Sequence, residues 1–206
     1  ANRGTDDELL AALPLLDGSI RTYDETLWLQ LLVDPEAVNL LAIITRLRWG
    51  IPTQQLVEIL QEAETLVLVS TLARIQHLLL REDETTIYHS SFTDFVFEKT
   101  ALRELDVQRR LLEYCVSRPD TDYGTLNIIY HGLRSGSTEE ARTVAMCAQG
   151  WADRCVTLGA EPDALLGDVN EALAAATRQG SLVEVVRILL LAQRLQFRYD
   201  ALFPQS

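Results

Sequence analysis

One lysine, three cysteines and three histidines stand in 206 residues. Each scarcity excludes something. A phosphate-binding loop needs Gly-x-x-x-x-Gly-Lys-Ser/Thr, whose backbone amides close around phosphate while the lysine adds a point charge. Lys99 is the only lysine, and the glycine positions before it hold Thr93 and Glu98. The loop is absent, so this chain alone is expected not to hydrolyse a nucleotide and not to be an enzyme. Cys115, Cys147 and Cys155 form no Cys-x-x-Cys pair and read as buried small hydrophobes of a reducing compartment. Eight residues of helix would hold Cys147 and Cys155 about 12 Å apart, too far for a disulfide. His77, His89 and His131 are scattered without metal-ligand spacing, so no metal is expected. His89, Ser90, Ser91 and Asp94 are sequence neighbours that do not face one another, and no nucleophile elbow surrounds them.

Positive charge is also short. Eighteen basic residues meet 30 acidic ones, for a net charge of −12. Such a chain repels a phosphate backbone, so nucleic acid is not an expected partner. No apolar run approaches the roughly 18 residues of a membrane span. Ala1-Asn2-Arg3-Gly4, followed by Asp6-Asp7-Glu8, is no signal peptide. A soluble, cytoplasmic protein without membrane contact is the expectation.

What is present is helical periodicity. Residues 7–16 form a short apolar segment, and residues 22–33 carry Tyr23, Leu27, Leu31 and Leu32 at helical spacing. Asp34-Pro35-Glu36 starts a helix by side-chain cap, fixed φ and dipole, which runs to Trp49 and stops at Gly50. Further helices are predicted from Pro52 to Glu62 and over 67–78. Leu78 to His89 then reads as a small hairpin, an apolar run and a β-branched run around Glu82-Asp83-Glu84. Ser91 to Lys99 is a short helix burying Phe92, Phe95 and Val96. Three helices, a two-stranded wing and a closing helix make a winged helix-turn-helix over residues 20–100, preceded by a connecting segment 1–19.

Residues 101–206 are expected to be an antiparallel helical array of tetratricopeptide-like kind. Its first helix spans 101–117 with Leu102, Leu105, Leu111, Leu112 and Val116 as the apolar set. Ser137-x-x-Glu140 and Ser181-x-x-Glu184 read as capping boxes. The segment 182–197 is apolar on nearly all sides, so it is either buried or covered by something outside this chain. The fold class is therefore mainly α, with one small hairpin.

A winged helix invites a DNA-binding reading, which the charges oppose. Residues 1–100 hold 16 acids against 7 bases, a balance of −9. The helix in the recognition position offers only Arg74, Gln76 and His77 as long polar donors, fewer than a base reader needs.

Arg74-Ile-Gln-His-Leu-Leu-Leu-Arg and Thr86-Ile-Tyr-His-Ser-Ser-Phe-Thr-Asp-Phe-Val resemble the winged-helix module of STAND NTPases, particularly the NACHT group. There the wing commonly ends in an aromatic or aliphatic residue, a His, a small residue and Ser-Phe-x-x-Phe, matched here by Tyr88, His89, Ser90, Ser91, Phe92 and Phe95. Leu13-Pro14, Tyr23 and Leu27 look like the segment leading into that module. Gln108 to Cys115 and Ile128-Ile-Tyr-His-Gly-Leu-Arg-Ser-Gly resemble the first helical repeats after it. The likeness covers residues 10–136.

The resemblance implies a role for His89. In plant immune receptors of this superfamily the equivalent triplet is methionine–histidine–aspartate, and its His reaches the β-phosphate of bound ADP; Ser90 stands here at the Asp position. It implies that ADP clamps the module against an upstream nucleotide-binding domain, and that exchange for ATP, with magnesium, releases it to homo-oligomerise. This chain would be the non-catalytic regulatory part. It would couple a protein ligand sensed by the helical repeats to nucleotide exchange, in bacterial antiphage defence or signalling. His131 reads as a packing residue and His77 as a helix-face residue. The alternatives are a winged-helix transcription regulator with a helical ligand domain, and a stand-alone helical adaptor.

Overall fold

The computed structural model describes residues 20–60, 65–81 and 84–202, where eleven α-helices and one two-stranded antiparallel sheet are found. The expected segment 1–19, Leu13-Pro14 and the Glu82-Asp83 turn lie outside the described residues.

Helix α1 (Ile20–Leu31) turns Asp24, Trp28 and Leu31 to the interior. Tyr23 and Leu32, both expected in its apolar face, are half exposed. Trp28 sets the face instead, by meeting the Phe95 ring edge-on at 6.3 Å. Helix α2 (Pro35–Ile44) starts as predicted: the Asp34 carboxylate accepts from Ala37 N at 3.1 Å, and Pro35 is the first residue. It stops five residues short of Trp49. Thr45 Oγ1 and the Arg46 guanidinium both donate to the Ala42 carbonyl, each at 3.1 Å. That carbonyl needs no further helical amide, so the chain can leave the helix there.

Helices α3 (Thr53–Leu60) and α4 (Thr65–Arg74) follow, then a 3₁₀ turn at Gln76–Leu78, so the predicted helix over 67–78 ends at Arg74. Strands β1 (Leu79–Arg81) and β2 (Thr85–Ile87) pair in the register Leu79 with Ile87, Leu80 with Thr86, Arg81 with Thr85. Ile51 adds an isolated antiparallel bridge to Thr85 on the other edge. Helix α5 (Ser90–Lys99) buries Phe92, Phe95 and Val96, as its spacing predicts.

The remaining helices are α6 (Glu104–Ser117), α7 (Asp122–Arg134), α8 (Ser137–Met146), α9 (Gln149–Thr157), α10 (Pro162–Arg178) and α11 (Leu182–Leu202). Consecutive helices pack on one another, α6 on α7, α7 on α8 and α10 on α11. The predicted inner face of α6 is kept only at Leu111 and Leu112, which are buried. Leu102 is fully exposed, Leu105 and Val116 are partly exposed, and Gln108 points inward. The Ser137–Glu140 capping box is not made. Gly136, at φ +101°, occupies the N-cap, and Glu140 pairs with Arg178 at 2.6 Å. Only glycine enters that conformation without strain. Glu184 of the second box pairs with Arg187.

Arginine, not lysine, closes helix ends. Arg46 donates to the Phe97 and Thr100 carbonyls at the end of α5. Arg110 donates to Ile59 and Leu60 at the end of α3. Arg187 donates to Val144 and Cys147 at the end of α8. A planar fork reaches two terminal carbonyls at once, which one ammonium does less well. These contacts join elements far apart in sequence, and one continuous core of buried residues runs from Trp28 to Tyr199. Helix α11 buries Ile188, Leu191, Leu195 and Tyr199 but exposes Leu182, Val183, Val186, Leu189, Leu190 and Phe197. Its apolar character is thus divided between the core and solvent. No helix among the described residues is long and apolar enough to cross a membrane.

Candidate functional site

The end of β2 delivers Tyr88 and His89 to the start of α5. His89 holds the N-cap in extended backbone (φ −106°, ψ 124°), and its carbonyl accepts from Thr93 N at 3.0 Å. Its ring makes no hydrogen bond to a described residue and is exposed. Its one ring neighbour is Tyr88, edge-on at 4.5 Å. No hydrogen bond joins the ring to Ser90, Ser91 or Asp94, so the four do not form a relay. An imidazole in this state has both nitrogens available.

His89 stands at a cavity of about 340 Å³ between α1, the 3₁₀ turn and the β2–α5 junction. Tyr23, His77, Tyr88 and Phe92 contribute walls, and Asp24 is a buried carboxylate among them. Burial raises the Asp24 pKa above the ordinary carboxylate value, and the nearby His89 lowers it in part. Helix periodicity does not reveal Asp24, because an acid on a solvated helix face has the same spacing as one turned inward. His77, predicted on a helix face, is exposed on the 3₁₀ turn beside this cavity.

His131 lies in the opposite environment. It is fully buried, with Nδ1 at 2.7 Å from Gln108 Oε1 and Nε2 at 2.8 Å from the Tyr123 hydroxyl. Gln108 Nε2 donates to Glu104 Oε1 at 2.9 Å, and Arg46 Nε donates to Glu104 Oε2 at 2.6 Å. The roles then follow: Tyr123 O–H donates to Nε2, and Nδ1–H donates to Gln108. Burial, with Arg134 and Arg48 nearby, lowers the His131 pKa to about 3. It is a neutral packing residue, as expected.

This chain of contacts crosses the predicted boundary at residue 100. Arg46 has no exposed side-chain surface. It also donates to Thr45 Oγ1 and Thr100 Oγ1, and lies over the Phe97 ring. Arg48 reaches Asp168 on α10 at 2.7 Å and the Ala164 carbonyl at 3.2 Å. Sequence reading missed Arg46, Arg48, Glu104 and Asp168. The available signal was the preference for arginine over lysine, seventeen to one, which suits buried bidentate pairing.

The would-be recognition helix offers little to a base edge. Its buried face is Leu68, Thr71 and Leu72, and Val69 is exposed. Arg74 is spent on the Asp34 carboxylate, at 2.7 and 3.1 Å. All three cysteines are buried and unpaired, with thiols pushed up to about 12 by burial. They are poor nucleophiles. Among the described residues no group of three His, Cys, Asp or Glu could hold a metal. No protein-family model matches the chain, and comparison with curated proteins and with solved structures found no match.

Proposed function

We propose that this chain is a non-catalytic regulatory module of a STAND-type signalling ATPase, a winged helix-turn-helix followed by tetratricopeptide-like helices. In that role it holds the upstream nucleotide-binding domain at rest and couples a protein ligand to ADP–ATP exchange and oligomerisation. The observation that carries the reading is His89: an exposed imidazole with no hydrogen bond to a described residue, at a strand–helix junction. A ring so placed can donate to a phosphate and lose that contact when the module rotates. The order α2, Ile51 bridge, α3, α4, β1, β2, α5 supports the winged-helix part. An anion inside the cavity would meet the Asp24 carboxylate, so the fit is to a phosphate at the cavity mouth and not within it.

The transcription-regulator alternative is disfavoured by the pairing of Arg74 with Asp34 and by the acidity of residues 1–100. The experiment is His89→Ala in the full-length protein. Faster ADP loss and a raised basal oligomer fraction are expected. Unchanged ADP retention and unchanged oligomerisation would overturn the nucleotide role. Tight, salt-sensitive duplex binding in a gel shift would overturn the module assignment itself.

A further inference from the structure

Two carboxylates are buried among the described residues, Asp24 at 4% and Asp168 at 2% exposure. Asp168 has its cation, Arg48 at 2.7 Å. Asp24 has no such partner among the described residues: no arginine or lysine lines its cavity, and its one charge neighbour there is the exposed His89. Arg21 of α1 and Lys99 of α5 are engaged elsewhere. Arg21, on the same helix, faces Glu25 and Glu98, and the Lys99 ammonium lies 5.1 Å from the Phe95 ring centroid. The Asp24 carboxylate instead lines a cavity open to ligands, where burial raises its pKa and a cation would restore the charged form.

The other walls define what that ligand is. Tyr23, Tyr88 and Phe92 offer aromatic surface, and His77 and His89 offer ring nitrogens. Aromatic faces around a negative charge are the chemistry that holds organic cations, through the ring quadrupole and a charge-assisted hydrogen bond. A cavity of about 340 Å³ is large enough for a side-chain-sized ligand. We propose that the cavity between α1 and the β2–α5 junction is a binding site for a guanidinium group, with Asp24 as its counter-ion and Tyr23 and Tyr88 as its aromatic walls. The site is independent of the nucleotide contact at its mouth, and holds for this chain whether or not that contact exists.

The test is titration of the chain with methylguanidinium, with acetyl-arginine methylamide and with urea, at constant ionic strength, read by NMR shifts and calorimetry. Both guanidinium probes bind saturably and move Tyr23, Tyr88 and His89 resonances; urea, the uncharged analogue, does not saturate. Asp24→Asn weakens binding at least tenfold. Tyr88→Ala, at a position 62% exposed and dispensable to packing, weakens it severalfold with an unchanged circular dichroism spectrum. It therefore reports even if the Asp24 variant fails to fold. Tighter binding of the arginine derivative assigns the site to a protein side chain, and equal binding assigns it to a free small cation; both support the site. Equal binding of urea and methylguanidinium would overturn it, as would full affinity in both Asp24→Asn and Tyr88→Ala.

Discussion

His131 and His89 are the same side chain in two opposite settings. His131 is sealed between α6 and α7 with both nitrogens committed, in a line that runs Tyr123, His131, Gln108, Glu104, Arg46. His89 has neither nitrogen committed to a described residue and stands on the surface. The first region joins the two halves of the chain, and every side chain in that line has its polar groups paired. The second region is built from the same kind of elements, yet leaves two imidazoles, a carboxylate and three aromatic rings lining one cavity. Polar groups that have satisfied one another fix a structure; polar groups left unsatisfied at a cavity are where a ligand can contribute.

The comparison breaks most sharply at Arg46. Arg46→Ala leaves Glu104 half-buried without its cation and removes the donors to Phe97, Thr100 and Ala42. A loss of about 3–5 kcal/mol is expected in urea unfolding. Arg46→Lys recovers only part of it, because an ammonium cannot present the fork that spans these acceptors.

Next comes the approach of α7 to α8. A Cβ on Gly132 would lie 2.2 Å from Thr143 Oγ1 and 2.6 Å from its Cγ2. Gly132→Ala is expected to cost about 1–3 kcal/mol. Thr143→Ala in the same chain removes those two atoms and restores part of the loss, a non-additivity that a double-mutant cycle measures.

Legibility follows the same division. Helix starts and apolar spacing were readable, because Asp34-Pro35 and the Phe92–Val96 face act through local geometry. The small hairpin was readable for the same reason, though not its register. The end of α2, the inner face of α6 and the missing capping box were not. Each is decided by a contact distant in sequence: Arg46 with Thr100, Gln108 with His131, Glu140 with Arg178. At the candidate site His89 was readable as a motif, whereas Asp24 was not, because its burial depends on how α1 docks on α5 through Trp28 and Phe95.

His131 itself gives a smaller effect with a pH signature. His131→Leu leaves the Tyr123 hydroxyl and Gln108 Oε1 without partners, at about 1–3 kcal/mol. The native pKa is lowered to about 3 from the model-peptide value of 6.5, so between those values the unfolded chain takes up a proton that the folded chain refuses. Its contribution is complete above pH 6.5 and is lost as the pH falls towards 3. The Leu variant therefore loses less stability than the parent over that window, although it starts lower. Parallel acid-induced losses in the two proteins would show that this ring is not the group that titrates.

The smallest effect is expected at His89, and its smallness carries the argument. The ring makes no hydrogen bond to a described residue and lies outside the core, so His89→Ala removes only the edge contact with Tyr88 and an exposed charge interaction with Asp24. Its unfolding free energy should stay within about 0.5 kcal/mol of the parent. A side chain that costs so little to delete is not retained by the fold. If the same substitution alters ADP retention in the full-length protein, the change cannot be assigned to a loosened module, because the module's stability is the control. A loss well above that range would move His89 to the side of His131, as a structural residue whose partner forms in solution, and the contrast between the two regions would fail.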